Sequence, residues 1–167
     1  MDDGIIYVTG YQNKTSDGKY PFLWSGNSLN SLSANQLETP DAYNDDVYGY
    51  AYSTSIFNGQ SYVSGLYQVE ISGNRYYRAA LWVGSTNPIL SALEDENDSA
   101  AFSVFVYNGD VYVAGNIEKP KSGSTSEVYV QPCYWKNGVR VDLSIPSETG
   151  SDATDYYLEG AHAIIVQ

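Results

Sequence analysis

Twelve of the chain's twenty carboxylates fall in three short stretches: Glu38, Asp41, Asp45 and Asp46; Glu94, Asp95, Glu96 and Asp98; Glu148, Asp152, Asp155 and Glu159. Clustered carboxylates suit two chemistries. They offer hard oxygen donors to Ca²⁺, and a spaced pair can perform general acid–base work on a glycosidic bond. The run Glu94-Asp95-Glu96-Asn97-Asp98 lacks the glycine and the spaced terminal glutamate of an EF-hand loop. The acids also sit in connections that differ from one another, not at strand ends. The sole histidine, His162, and the sole cysteine, Cys133, have no Ser-His-Asp or metal-ligand spacing around them. No catalytic residue, metal site or cofactor is therefore expected. The same connections are rich in tyrosine, a rigid side chain that is apolar on its face and polar at its tip. The expected partner-binding set is Asp41, Tyr43, Asp45, Asp46, Tyr76, Tyr77, Glu94, Asp95, Glu96, Asp98, Asp155 and Tyr156.

The elements that position these residues are written three times. Ile6-Tyr7-Val8-Thr9-Gly10 returns as Ser61-Tyr62-Val63-Ser64-Gly65 and as Val111-Tyr112-Val113-Ala114-Gly115. Before the second and third copies stand Ala51–Phe57 and Ala101–Tyr107, each followed by Asn-Gly. That dipeptide between apolar runs signals a tight hairpin, because both residues tolerate positive φ. A third strand ends in Trp24, Trp82 or Trp135, and a fourth is expected over 29–32, 89–93 and 139–143. The stretch 161–167 repeats the first strand, and Asp3-Gly4 stands where Asn58-Gly59 and Asn108-Gly109 stand. The three units span about 3–57, 58–107 and 108–167, a single module over 1–167. No sustained 3.6-residue apolar period occurs, so little helix is expected.

Four hairpin-linked strands per unit describe a propeller blade. The segments Val111-Tyr112-Val113-Ala114-Gly115 and Tyr134-Trp135-Lys136-Asn137-Gly138 resemble the bacterial β-propeller repeats of the VYVAG…YWKNG type. The resemblance spans all three units and implies an exported β-propeller, without implying any catalytic residue. A β-sandwich of the same strands is the alternative fold. Three blades are too few to close a ring of twisted sheets. The expectation is an all-β propeller with three four-stranded blades per chain, completed to six by a strand-exchanged homodimer.

Composition narrows the function. A net charge of −12 argues against nucleic acid and anionic membrane surfaces. No run of 18 apolar residues suggests a membrane-spanning helix. No basic segment followed by an apolar stretch opens the chain, which suits a mature or an intracellular form. Seventeen tyrosines and only eight Lys plus Arg favour an extracellular or surface location. Six of those eight cations, Lys14, Lys19, Arg75, Arg78, Lys119 and Lys121, fall between the second and third strands, giving a partly basic outer zone. The three tryptophans are expected to pack between blades, and Cys133 and His162 to be packing residues. The function expected is non-enzymatic recognition of a protein or glycan partner, together with self-association. A carbohydrate-binding lectin and a carbohydrate-active enzyme are the alternatives.

Overall fold

The computed structural model describes residues 4–13, 18–39, 48–84, 89–93, 98–124, 127–145 and 160–167. Within them the chain is all β. The strands are β1 (Ile6–Asn13), β2 (Lys19–Gly26), β3 (Ser33–Gln36), β4 (Gly49–Phe57), β5 (Gln60–Ile71), β6 (Asn74–Val83), β7 (Ile89–Ala92), β8 (Ser99–Tyr107), β9 (Asp110–Pro120), β10 (Val128–Lys136) and β11 (Val139–Asp142). They form three antiparallel sheets, ordered β1-β2-β3, β4-β5-β6-β7 and β11-β10-β9-β8.

The turns follow from residue type. Asn58, Asn108 and Asn137 adopt φ near 50°, and the glycines that follow them lie at 75°, 86° and 81°. This left-handed pair is what a two-residue hairpin with matching twist requires. Ser72 (54°) and Gly73 (81°) do the same between β5 and β6. The connection expected to be a long loop in the second unit is thus an extended hairpin, with Tyr76, Tyr77 and Arg78 on its returning strand.

Two other expectations shift. The fourth strand of the first unit runs over Ser33–Gln36, not 29–32. Residues 28–31 instead close a turn, with the Ser31 amide donating to the Ser28 carbonyl at 3.0 Å. Residues 161–167 contain no strand in this chain.

The core lies between the sheets. Trp82 and Trp135 are 0% exposed. Trp82 packs with Leu23, Leu37, Ala51, Val63 and Ala80 where sheets one and two meet. Trp135 packs with Ala79, Leu81, Val104, Val113, Ile117 and Cys133 where sheets two and three meet. Both the inter-sheet role of these tryptophans and the buried role of Cys133 agree with the sequence reading. Trp24 is only half-buried.

Glycine matters most at Gly65 and Gly115, in the middle of the central strands. A Cβ at Gly65 would lie 1.9 Å from the Tyr50 carbonyl oxygen, and one at Gly115 would lie 2.0 Å from that of Ala100. Strands β4 and β8 each carry a bulge at this level, between Ala51 and Ser53 and between Ala101 and Ser103. The bulge turns a carbonyl into the space that a side chain would occupy.

Candidate functional site

The two ends of the sheets differ. At the Asn-Gly end, polar groups satisfy one another. The Val111 amide donates to Asn137 Oδ1 at 2.8 Å, and Asn137 Nδ2 donates to Asp110 Oδ1 at 2.8 Å. Lys136 pairs with Asp110 at 2.8 Å. Hydrogen bonds from Lys136 and then Asn137 hold the Asp110 carboxyl below the usual aspartate range. In sheet three the turns at this end thus share one closed hydrogen-bonding circuit.

The opposite end brings side chains from neighbouring sheets together. At the seam of sheets two and three, the Tyr77 amide donates to Asp98 Oδ1 at 2.5 Å. The Ala79 amide donates to Ser99 Oγ at 2.8 Å, and the Glu118 amide to the Asp98 carbonyl at 2.7 Å. One residue, Asp98, therefore ties β6 to β9 across the start of β8. Arg78 lies 5.1 Å from the Tyr76 ring centroid and donates to the Tyr77 carbonyl at 3.3 Å. It is 3% exposed. Arg78 is thus a buried cation within β6, not part of a basic outer zone. Burial pushes the Asp98 carboxyl above its ordinary value, while the Tyr77 amide and Arg78 oppose that shift. Burial also pushes Glu118 up, and the neighbouring Asp98 charge adds to the effect.

The seam of sheets one and two carries a different set. Lys19 Nζ donates to Tyr50 Oη at 2.7 Å. It also lies 5.1 Å, 5.6 Å and 6.0 Å from the ring centroids of Tyr50, Tyr11 and Tyr48. Ammonium over aromatic faces is favourable, and the Tyr50 hydroxyl holds Lys19 above the usual lysine value. From this group a row of rings crosses β1, β4 and β8. Tyr11 meets Tyr50 edge-on with centroids 5.0 Å apart, and Tyr50 stacks on Tyr52 at 6.0 Å. Tyr52 lies 5.7 Å from Phe102, and Phe102 stacks on His162 at 4.5 Å. Burial pushes the Tyr52 hydroxyl well above the ordinary tyrosine value. The packing role expected for His162 agrees with its stack on Phe102.

Of the residues singled out from sequence, the structure places Tyr76, Tyr77 and Asp98 at one seam. Asp41, Tyr43, Asp45, Asp46, Glu94, Asp95, Glu96, Asp155 and Tyr156 lie outside the described residues. Sequence reasoning did not single out Glu118, Lys19, Tyr11 or Tyr50 as members of a shared site. Lys19 and Tyr50 are 31 positions apart, and only the packing of sheet one on sheet two joins them. Chemically, both seams hold hydrogen-bonding and aromatic groups in fixed relative positions. Among the described residues no group of three His, Cys, Asp or Glu side chains could hold a metal ion. No protein-family model, curated protein or solved structure matches the chain.

Proposed function

We propose that the three sheets are blades of a β-propeller, three from each chain in a six-bladed ring. We further propose that the protein is a non-enzymatic recognition module, located outside the cell or on a surface. It engages a macromolecular partner through the end that carries Tyr76, Tyr77, Asp98, Glu118 and Lys19. The observation that carries this reading is the asymmetry of the two ends. At the Asn-Gly end of sheet three, polar groups bond one another across their own turns. The other end gathers aromatic, cationic and carboxylate groups from adjacent sheets. Binding groups commonly sit on connections held by a rigid scaffold. The net charge of −12 favours a cationic partner whose association weakens with salt.

The test measures binding of three defined probes: a lysine-rich peptide, a neutral glycan array and heparin. The protein is compared with variants in which 41–46 or 94–98 is replaced by Gly/Ser, or in which Asn58 and Asn137 are changed. Lysine-rich peptide binding that is lost at high salt and in the loop replacements supports the reading. Retention in both loop replacements together with loss in the turn variants contradicts it. Chemical turnover of a glycan would make the protein an enzyme.

A further inference from the structure

Sheet one has three strands where sheets two and three have four. Among the described residues, no strand fills beside β1 the position that β4 fills beside β5 and β8 beside β9. Ile5, Val8 and Tyr11 along this region are exposed. An open edge with apolar side chains is a template for another strand.

The matching strand is in the chain. Residues 161–167 repeat Ala51–Phe57 and Ala101–Tyr107. They are already held where the first strand of a further sheet would begin. Phe102 of β8 lies against Tyr52 of β4, the inner strand of the sheet before it. His162 lies against Phe102 in the same way. The Ala161 amide donates to the Gly115 carbonyl at 3.3 Å. Beyond this anchor the segment joins no β-ladder, and Ile165 is 76% exposed.

The edge also has a receptor. At Gly65 and Gly115 the space of a Cβ is taken by the bulged strand's carbonyl, at 1.9 Å and 2.0 Å. At Gly10, the same position of sheet one, the nearest atom to a Cβ is a Trp24 ring carbon at 3.3 Å, and no carbonyl of the described residues lies within 4 Å. Gly10 is therefore a notch of the right shape without its occupant.

The outer faces of sheets one and three are complementary as well. Trp82 Nε1 donates to the Glu38 carbonyl at 2.6 Å, just past the end of the preceding sheet. Leu37 precedes Glu38, and its amide donates to the Pro21 carbonyl, as the Leu143 amide does to that of Pro132. Ser144 is thus the counterpart of Glu38. Leu37 is 0% exposed beneath sheet two, whereas Leu143 is 39% exposed, with Val139 and Val141 also exposed nearby. On the far side of sheet one, Trp24 is only half-buried. Sheet three exposes the positions that pack a following sheet, and sheet one exposes those that pack a preceding one.

We infer that a second copy of this chain docks head to tail and supplies residues 161–167 as the fourth strand of sheet one. The inference rests on the blade reading above. The register follows from the other two sheets. Ala161 pairs with Gly10, Ala163 with Thr9, Ile164 with Val8, Ile165 with Tyr7 and Val166 with Ile6, and His162 takes the bulge. The donated Gly160 carbonyl enters the notch at Gly10. Trp24 Nε1 of the receiving copy donates to the Ser144 carbonyl of the donor. Two such copies bring six sheets together, within the about four to eight blades that propellers hold. Each copy gives one strand and receives one, so the assembly closes.

Light scattering and sedimentation of the 167-residue chain are expected to give twice 18.4 kDa. Gly10→Ala is expected to weaken assembly at least tenfold while the circular dichroism of the dissociated chain stays that of the parent. Thr9→Cys and Ala163→Cys chains, mixed and oxidised, are expected to yield a covalent heterodimer. A monomeric mass across the accessible concentration range overturns the inference. So does a dimer that forms equally well with Gly10→Ala, or a Thr9→Cys/Ala163→Cys double variant that links only within one chain. A monomer that still binds the lysine-rich peptide through its loop end overturns this inference and leaves the recognition reading standing.

Discussion

Replacing Gly65 by alanine adds one methyl group and is expected to unfold a large part of the molecule's stability margin. The new Cβ would lie 1.9 Å from the Tyr50 carbonyl oxygen and 2.8 Å from Cζ3 of the buried Trp82. Ordinary C···O contact is roughly 3.2 Å, so β4 must retreat by more than about 1 Å. Neither neighbour is free to yield. The carbonyl is backbone beside the Ala51–Ser53 bulge, and Trp82 is sealed between sheets. Overpacking of this kind costs about 1–3 kcal/mol. Losing one or two ladder hydrogen bonds adds about 1 kcal/mol each. The sum is roughly 2–5 kcal/mol, against about 5–15 kcal/mol for a typical domain. Gly115→Ala meets the Ala100 carbonyl at 2.0 Å and Trp135 at 2.8 Å, and the same loss is expected. Urea unfolding followed by tryptophan fluorescence reads both. A loss below about 1 kcal/mol at either site would refute the close approach of β4 to β5, or of β8 to β9.

Other consequences follow from the same packing. Trp82→Ala and Trp135→Ala should each cost about 3–5 kcal/mol in denaturant titrations, the range for a fully buried large aromatic. A stable variant that had lost glycan binding would instead favour a lectin. Burial raises Glu118 above its ordinary 4.5, so its contribution to stability is full below the unfolded value and declines as pH rises through the folded value. Glu118→Gln should therefore raise the melting temperature relative to the parent at pH 7, and by less at pH 4. An equal or reversed difference in scanning calorimetry would contradict the burial argument. Asn137→Ala, at φ 51° and with both side-chain bonds lost, should cost about 2–3 kcal/mol. Asn137→Gly should recover the backbone part of that loss.

The elements that could be read from sequence are those with a local cause. Asn58-Gly59, Asn108-Gly109 and Asn137-Gly138 are turns because of their own φ preferences, and they set the hairpins on either side. Each tryptophan and each Tyr-Val-x-Gly run marks a strand by alternation. β3 was misplaced because Ser33-Ala34-Asn35-Gln36 has no apolar alternation. It is a strand because it pairs with Phe22–Ser25 of β2. The long β5–β6 hairpin was written in Ser72-Gly73, but the polar residues around it read as a loop. Arg78 looked like a surface charge. Its burial depends on Tyr76 beside it in sequence and on Asp98 brought in from the next sheet. The site was half visible for the same reason. Tyr77 and Asp98 stand out as residue types, whereas Glu118, Lys19 and Tyr50 enter only through packing between sheets.

Closure of the ring is tested most directly by hydrogen exchange along the open edge of β1. In an edge strand the outward amides meet water, whereas in a central strand they are bonded. At concentrations that give the double mass, the outward amides of Ile6–Gly10 should be protected to the level of those in β5 and β9. That protection should fall on dilution and in Gly10→Ala. Unprotected β1 amides in a species of double mass would contradict the account.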